Sequence, residues 1–413
     1  MTHTQSEDTM TSGWKTVKLG EIAQIQTGPF GSQLHKKDYV DCGTPIVTVE
    51  HLGNKHFTEQ NLPRVSDADR ARLNKYTLKE GDVVFSRVGS VDRCSYVDQA
   101  HDGWMFSGRC LRVRPTHSID SEYMYYYFCL ENTKQFVRNI AVGSTMPSIN
   151  TQLMGEISVS LPPLDVQRRI AAVLKPLDDK IELNARINAR LERVAQALFK
   201  RHFVRFEPYG GTLPPGWRVG TLGEIAHITM GQSPDGKSYN DKGIGTVFFQ
   251  GRSDFGFRFP TVRLFTTEPK RMAKKRDVLL SVRAPVGDVN EAHEDCCIGR
   301  GLAAIQSKNG CQSFLLYTMF SLKKQLEVFN AEGTVFGCIN RDSLNAMPIL
   351  IPTDDAIKEF ERIVAPMDEM IRSNTDESRT LARLRDVLLP RLMSGAVDVG
   401  QVRLNTMQEG GSR

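Results

Sequence analysis

A long internal repeat constrains this chain more than any other feature. Ser12-Gly13-Trp14-Lys15 leads into Leu19-Gly20-Glu21-Ile22-Ala23 and Gly28. Pro215-Gly216-Trp217-Arg218 leads into Leu222-Gly223-Glu224-Ile225-Ala226 and Gly231, at a constant offset (217 − 14 = 203, 231 − 28 = 203). Further on, Ile149-Asn150 answers Ile339-Asn340 and Pro176-Leu177-Asp178 answers Pro366-Met367-Asp368, now at a second offset (340 − 150 = 190). Solenoid repeats are far shorter, roughly 20–50 residues. The period therefore marks a duplicated module of globule plus helix. Two copies in one chain give pseudo-two-fold symmetry and two related surfaces for one elongated target.

The remaining composition narrows the class. A length of 413 residues is enough for two separate cores. With 40% hydrophobic and 24% charged residues the chain is of the ordinary globular type. No apolar run approaches the roughly 20 residues of a membrane helix, and Met1 to Met10 is polar, without the apolar core of an export signal. A cytoplasmic protein away from membranes is expected. Cys42, Cys94, Cys110, Cys129, Cys296, Cys297, Cys311 and Cys338 form no CxxC, and the copies share no cysteine position. Neither a disulfide framework nor a zinc site is expected. A formal net charge of +5 permits nucleic acid as a partner without requiring it.

Each copy opens with strand signals. Pro45–Val49, Asp82–Ser86, Thr246–Gln250 and Asp277–Ser281 are apolar or β-branched runs bounded by turn residues. Helical segments follow over Glu122–Asn139 and Gln312–Asn330. The aromatic run Tyr123, Tyr125, Tyr126, Tyr127, Phe128 suggests base stacking, but its counterpart Phe314-Leu315-Leu316-Tyr317 is largely aliphatic, so these side chains are expected in a core. After Leu161-Pro162-Pro163 and Ile351-Pro352 the pattern becomes heptad-like. Ile170, Val173, Leu177, Ile187, Leu191, Val194 and Leu198 form one stripe; Phe360, Ile363, Met367, Met370, Leu381, Leu384 and Leu388 form the other. Such stripes predict long helices paired in a coiled coil. Asn184 and Asn374 interrupt them at matching positions, where a polar residue fixes register at a cost in stability. The helix–globule–helix order favours antiparallel pairing, and about 35 residues per helix make a rod of about 50 Å.

The predicted fold class is α+β (mixed α/β): two pseudo-symmetric globules joined by two long helices in an antiparallel coiled coil. The boundaries are a globule at 12–160, a helix at 161–206, a globule at 207–350, a helix at 351–395 and a polar tail at 396–413.

One catalytic pattern matches in full. Gly231-Gln232-Ser233-Pro234-Asp235-Gly236-Lys237-Ser238 fits a phosphate loop. Its context fails, because Tyr239–Gly245 reads as a turn where a phosphate loop must open a helix and point its amides at the anion. The sequence has no amino-methyltransferase [DN]PP[YFW] motif, HExxH, nucleophile elbow or GxGxxG. Basic and amide residues in loops carry more information, since Arg, Lys, Gln, Ser and His hold phosphates and read base edges. The candidates are Ser32, Gln33, His35, Lys36, Lys37, Arg87 and Arg109 in the first copy. In the second they are Gln232, Lys237, Arg252, Arg283 and Arg300.

Several stretches resemble a known family. Leu161-Pro162-Pro163-Leu164-Asp165-Val166-Gln167-Arg168-Arg169-Ile170, followed by Leu177-Asp178-Asp179-Lys180-Ile181, is similar to the conserved helix of Type I restriction–modification specificity (S) subunits. Leu19–Ile22, Gly28–Ser32, Gly81-Asp82-Val83, Leu222–Ile225, Gly231–Pro234 and Ser281–Pro285 resemble the framework of their target recognition domains. The resemblance runs from about Gly13 to Gly395 and includes the duplication. Asp92 departs from the family's usual glycine, and Thr353-Asp354-Asp355-Ala356 from the usual proline-leucine entry. The resemblance implies a non-catalytic reader of a bipartite, asymmetric site in double-stranded DNA. It implies two methylation (M) subunits as partners, docked on the helices, and restriction (R) subunits recruited through them. No cofactor is expected in this chain; S-adenosylmethionine, ATP and Mg are expected in the partner subunits. An S-like subunit of an enzyme without separate R subunits, a P-loop nucleotide enzyme and a pure scaffold are the alternatives. The chain is expected to turn over no ATP; ATP hydrolysis that disappears in Lys237→Ala would establish the P-loop reading instead.

Overall fold

The computed structural model describes residues 13–29, 33–330, 337–400 and 402. Two compact units divide it. The first holds residues 1–182 and 378–413, the second 183–377, so each long helix contributes one part to each unit.

In the first unit, Ala23–Thr27, Cys110–Pro115, Val83–Ser86 and Cys94–Tyr96 form a four-stranded antiparallel sheet in that spatial order. Val83–Ser86 is buried along its whole length, as a continuous apolar run demands of a central strand. A second sheet orders Tyr39–Val40, Arg64–Val65, Thr44–Val47 and Met105–Phe106, the last pair parallel. The second unit repeats the plan. Ala226–Met230, Leu302–Ser307, Val278–Ser281 and Val289–Glu291 make the antiparallel sheet, and five short strands make its companion. Terminal strands close each globule. Lys15–Lys18 pairs with Ser158–Leu161, and Arg218–Thr221 pairs with Pro348–Ile351 in the same register.

The sequence repeats are structural devices. Asp82 and Asp277 each accept a hydrogen bond from the backbone N–H three residues earlier, Lys79 and Lys274, at 2.8 Å, which turns the chain into the central strand. Asn150 and Asn340 cap short helices, accepting from Leu153 and Ser343 at 2.8 Å. The aromatic run lies on Ser121–Cys129, where Tyr123, Tyr125, Tyr126 and Phe128 are all buried in the first core. All eight cysteines are free thiols. No helix among the described residues is long and apolar enough to cross a membrane.

The long helices span Leu164–Phe199 and Asp354–Met393. Partner numbers fall along the second helix as the first advances, so pairing is antiparallel within each unit. In the first unit Asp178 meets Arg385 at 2.6 Å. In the second, Asn184 donates to Glu377 at 2.8 Å and Asn188 accepts from Asn374 at 2.9 Å. The buried line, however, keeps to the stripe expected from the heptads only at Ile170, Asn184 and Phe360, and elsewhere lies one residue further on. Leu174, Asp178, Asn188, Ala195 and Phe199 are buried, as are Val364, Asp368, Ile371 and Leu389, whereas Val194, Met370 and Leu384 are 40%, 52% and 46% exposed. A seven-residue spacing fixes the period of a helix face but not its phase, which one residue rotates by about 100°. The phase is set by the globules, whose cores absorb Ile170 and Leu174 in one unit and Phe199 and Phe360 in the other.

Asn184 and Asn374 lie at one level of the helix pair. Asn184 donates to the Asn374 carbonyl at 3.3 Å, and Asn188, a third member, bridges to Ile371 and Thr375. The expected polar tail also begins differently: Val397 and Val399 pack on the first core, and most of the remainder lies outside the described residues.

Each globule drives a buried cation against its helices. In the first unit Lys55, 5% exposed, lies 3.1 Å from Glu122 and 3.6 Å from Asp179, and donates to the Tyr126 hydroxyl at 3.3 Å. Tyr126 donates to Asp178 at 2.8 Å. In the second, Arg258, 2% exposed, contacts Glu192 at 3.2 Å, Glu291 at 3.1 Å and Asp368 at 2.6 Å. Tyr317 donates to Asp368 at 2.8 Å. Burial, reinforced by the facing carboxylates, raises both phenol pKa values, so both tyrosines remain donors. Burial works against the Arg258 charge, but Asp368, Tyr317, Glu291 and Glu192 more than offset it and hold the guanidinium protonated. The cations stand at the first sequence offset (258 − 55 = 203) and the aspartates at the second (368 − 178 = 190). Arg258→Met would strand Glu192 and Asp368 without their cation. It should cost about 3–5 kcal/mol in chemical denaturation, against less than about 0.5 kcal/mol for Lys237→Ala at the surface.

Candidate nucleic-acid interface

Both globules build an exposed face where the antiparallel sheet runs out, and a glycine makes each face possible. The strand Ala23–Thr27 ends at Gly28, where a Cβ would stand 2.2 Å from the Ser107 carbonyl oxygen; Ala226–Met230 ends at Gly231, where it would stand 2.1 Å from that of Gly299. Only hydrogen fits at either position. The close approach seats the loops Ser107–Arg109 and Gly299–Gly301 beside the strand ends.

Arg87 and Arg109 come together in the first face. The Arg87 N–H donates to the Arg109 carbonyl at 2.8 Å, and the Arg87 guanidinium donates to the Gly108 carbonyl at 3.1 Å. They line a cavity of about 780 Å³ with Pro29, Lys36, Glu50 and His51. Arg109 is exposed and Arg87 half-buried, while His35, Lys36 and Lys37 are exposed on a 3-10 turn, Lys36–Asp38, that Asp38 caps from the His35 N–H at 2.6 Å. Gln33 is held by two hydrogen bonds. Its side-chain oxygen accepts from Tyr76 at 2.7 Å and its carbonyl from Arg72 at 2.9 Å. Ser32 lies outside the described residues.

In the second face Gln232, Arg283 and Arg300 gather around Gly299–Gly301. The Gln232 N–H donates to Ile298 at 3.0 Å, the Arg300 N–H to the Ser233 hydroxyl at 3.2 Å, and the Val282 N–H to Gly301 at 2.9 Å. All three side chains are exposed. Lys237 is exposed on the three-residue 3-10 turn Gly236–Ser238, which runs straight into the strand Tyr239–Asn240. The anticipated turn begins after the short strand, where the Asn240 side chain accepts from the Lys242 and Ile244 N–H groups, and a three-residue 3-10 turn cannot present the amide array of a phosphate loop. Arg252 is exposed, but its guanidinium is bonded to Asp288 on the wall of a separate cavity of about 530 Å³. Ser233, whose hydroxyl accepts from the Arg300 N–H, has no signal in the sequence beyond its place two residues after the repeated Gly231. Among the described residues no group of three His, Cys, Asp or Glu is placed to hold a metal ion.

The paired faces fit one family. The family description "Type I restriction modification DNA specificity domain" matches residues 11–193 and again 214–383. The chain belongs to the Type I restriction–modification specificity subunits. A putative type I restriction enzyme MjaX specificity subunit of Methanocaldococcus jannaschii is 30% identical over 406 residues, 94% of each chain. The HindI specificity subunit of Haemophilus influenzae is 23% identical over 466 residues, covering 94% of this chain and all of that one. The crystal structure of the Type I S subunit from M. genitalium shares the fold, with a TM-score of 0.61 at 15% identity over 92% of this chain and 96% of that one. Each family segment covers one globule and most of the long helix that follows it.

Because Gly28 and Gly231 answer to backbone atoms, which cannot rotate away, Gly28→Ala and Gly231→Ala should each lower stability by about 1–3 kcal/mol. Thermal unfolding would measure the loss, and an unchanged midpoint would show that the strand end yields.

Proposed function

We propose that this chain is the non-catalytic DNA reader of a cytoplasmic Type I restriction–modification assembly. It recognises a bipartite, asymmetric double-stranded sequence, one half-site per globule. Two methylation subunits carrying S-adenosylmethionine dock on its helices, and ATP- and Mg-dependent restriction subunits join through them. The observation that carries this reading is one framework built twice with unlike side chains at its tips. The glycine closures and strand ends are equivalent, whereas Lys36, Lys37 and Arg109 face out of one copy and Gln232, Lys237, Arg283 and Arg300 out of the other. Like frameworks with unlike tips are what an asymmetric two-part target requires, since phosphate contacts position a reader and base contacts specify.

Two further observations support the division of labour. A net charge of only +5 is small for a protein that must hold a polyanion alone, and fits a reader whose partners complete the clamp. Apolar side chains stand exposed on the long helices, Leu183 at 50%, Met370 at 52% and Val387 at 54%, as docking sites for other subunits do. Exchanging residues 207–350 for the matching segment of a relative, then sequencing the methylome of the host, tests the reading. One half of the methylated site should change and the other stay. A change in both halves would overturn independent readers.

A further inference from the structure

Beside Arg87 the first globule carries a hairpin that neither periodicity nor motif spacing reveals. Val142 and Ser148 exchange both backbone hydrogen bonds at 2.8 Å, closing a tight loop between them. Gly143 turns the loop at φ +111°, and a Cβ there would lie 2.8 Å from the Met146 carbonyl. The base is fastened to the exit of the central strand: the Gly89 N–H donates to Pro147 at 2.8 Å and the Ile149 N–H to Arg87 at 3.0 Å. The hairpin is therefore held to the same backbone that carries Arg87 and, through it, Arg109.

Its loop faces solvent, with Ser144 and Thr145 at the turn and Val142 and Met146 on either side of them. Val142 and Met146 are each 63% exposed, so neither contributes to a core. Cations beside two exposed apolar side chains match one feature of duplex DNA, the thymine 5-methyl group presented in the major groove between phosphates. In the sequence of the second copy, Gly333 and Phe336 answer Gly143 and Met146 at the second repeat offset (336 − 146 = 190); those two residues lie outside the described ones.

We infer that the Val142–Ser148 hairpin is a further reading element of the first face, with Met146 and Val142 contacting a thymine 5-methyl group; this rests on the DNA-reading role proposed above. The contact supplies sequence preference through shape and apolar surface, while Arg87 and Arg109 supply the charge.

The test uses the full chain assembled with its methylation partner and the half-site that stays constant when the second globule is exchanged. Each thymine of that half-site is replaced in turn by deoxyuridine, which removes only the methyl group. One replacement should weaken binding about 3- to 10-fold. Met146→Ser combined with Val142→Ser should weaken binding to the thymine duplex by a similar factor and abolish the sensitivity to deoxyuridine. Affinity for a random duplex and the thermal midpoint should not move, because both side chains are exposed. A half-site without thymine, indifference of the unaltered assembly to every deoxyuridine, or a double variant that keeps the sensitivity would overturn the inference. Absence of any sequence preference in the unaltered assembly would overturn the DNA-reading role as well.

Discussion

A buried positive charge ties each recognition globule to its helices, and the placement of both faces depends on it. Arg258 sits among Glu192, Glu291 and Asp368 with almost no solvent contact, and Lys55 occupies the matching place in the first copy. Such a group is costly to desolvate and tolerable only with its partners in position. That requirement makes the contact selective. A globule rotated or shifted on its helices would leave a guanidinium or an ammonium facing carboxylates at the wrong distance. Apolar packing alone, being non-directional, would tolerate the shift. The loop that carries Arg258 also carries Arg252, and the loop that carries Lys55 follows Glu50 and His51 on the wall of the first face. One segment thus links the outer surface of each globule to its helices.

The same logic separates what the two copies share from what they do not. Shared positions are those where a backbone must approach another backbone or a buried charge must be answered: Gly28 and Gly231, Asp82 and Asp277, Tyr126 and Tyr317, Asp178 and Asp368. Unshared positions project from these fixtures into solvent. Arg87 bends back onto Gly108, Arg283 stays exposed, and the 3-10 turn that carries Lys36 and Lys37 in the first copy carries Gly236 and Lys237 in the second. A reader can change its target at such tips without disturbing the core, because surface substitutions away from paired or packed groups change stability little.

Where expectation and structure diverge, the cause is local. The heptad stripe gave the existence, length and pairing of the long helices but, away from Ile170, Asn184 and Phe360, misplaced the contact line by one residue. Apolar residues flank that line on both sides, and polar residues such as Asp178, Asn188 and Asp368 do not look like seam positions. They are buried because Arg385, Thr375, Tyr317 and Arg258 meet them, and those partners are remote in sequence. Residue type marks Gln33 and Arg252 as candidate base readers, and in the structure the Gln33 side-chain oxygen accepts from Tyr76 and the Arg252 guanidinium bonds Asp288, contacts that no local pattern announces.

The sequence by itself determined the duplication, the succession of strands and helices, the core aromatic helix and the family. Each of these depends on spacing and residue type along one stretch of chain. The tertiary structure alone decided the phase of the long helices, the pairing of Arg258 and Lys55 with distant carboxylates, and the gathering of Arg87 with Arg109 and of Gln232 with Arg300. Those outcomes depend on which remote segments come within a few ångströms, and short-range contacts between residues tens to hundreds of positions apart leave no periodic mark on the chain.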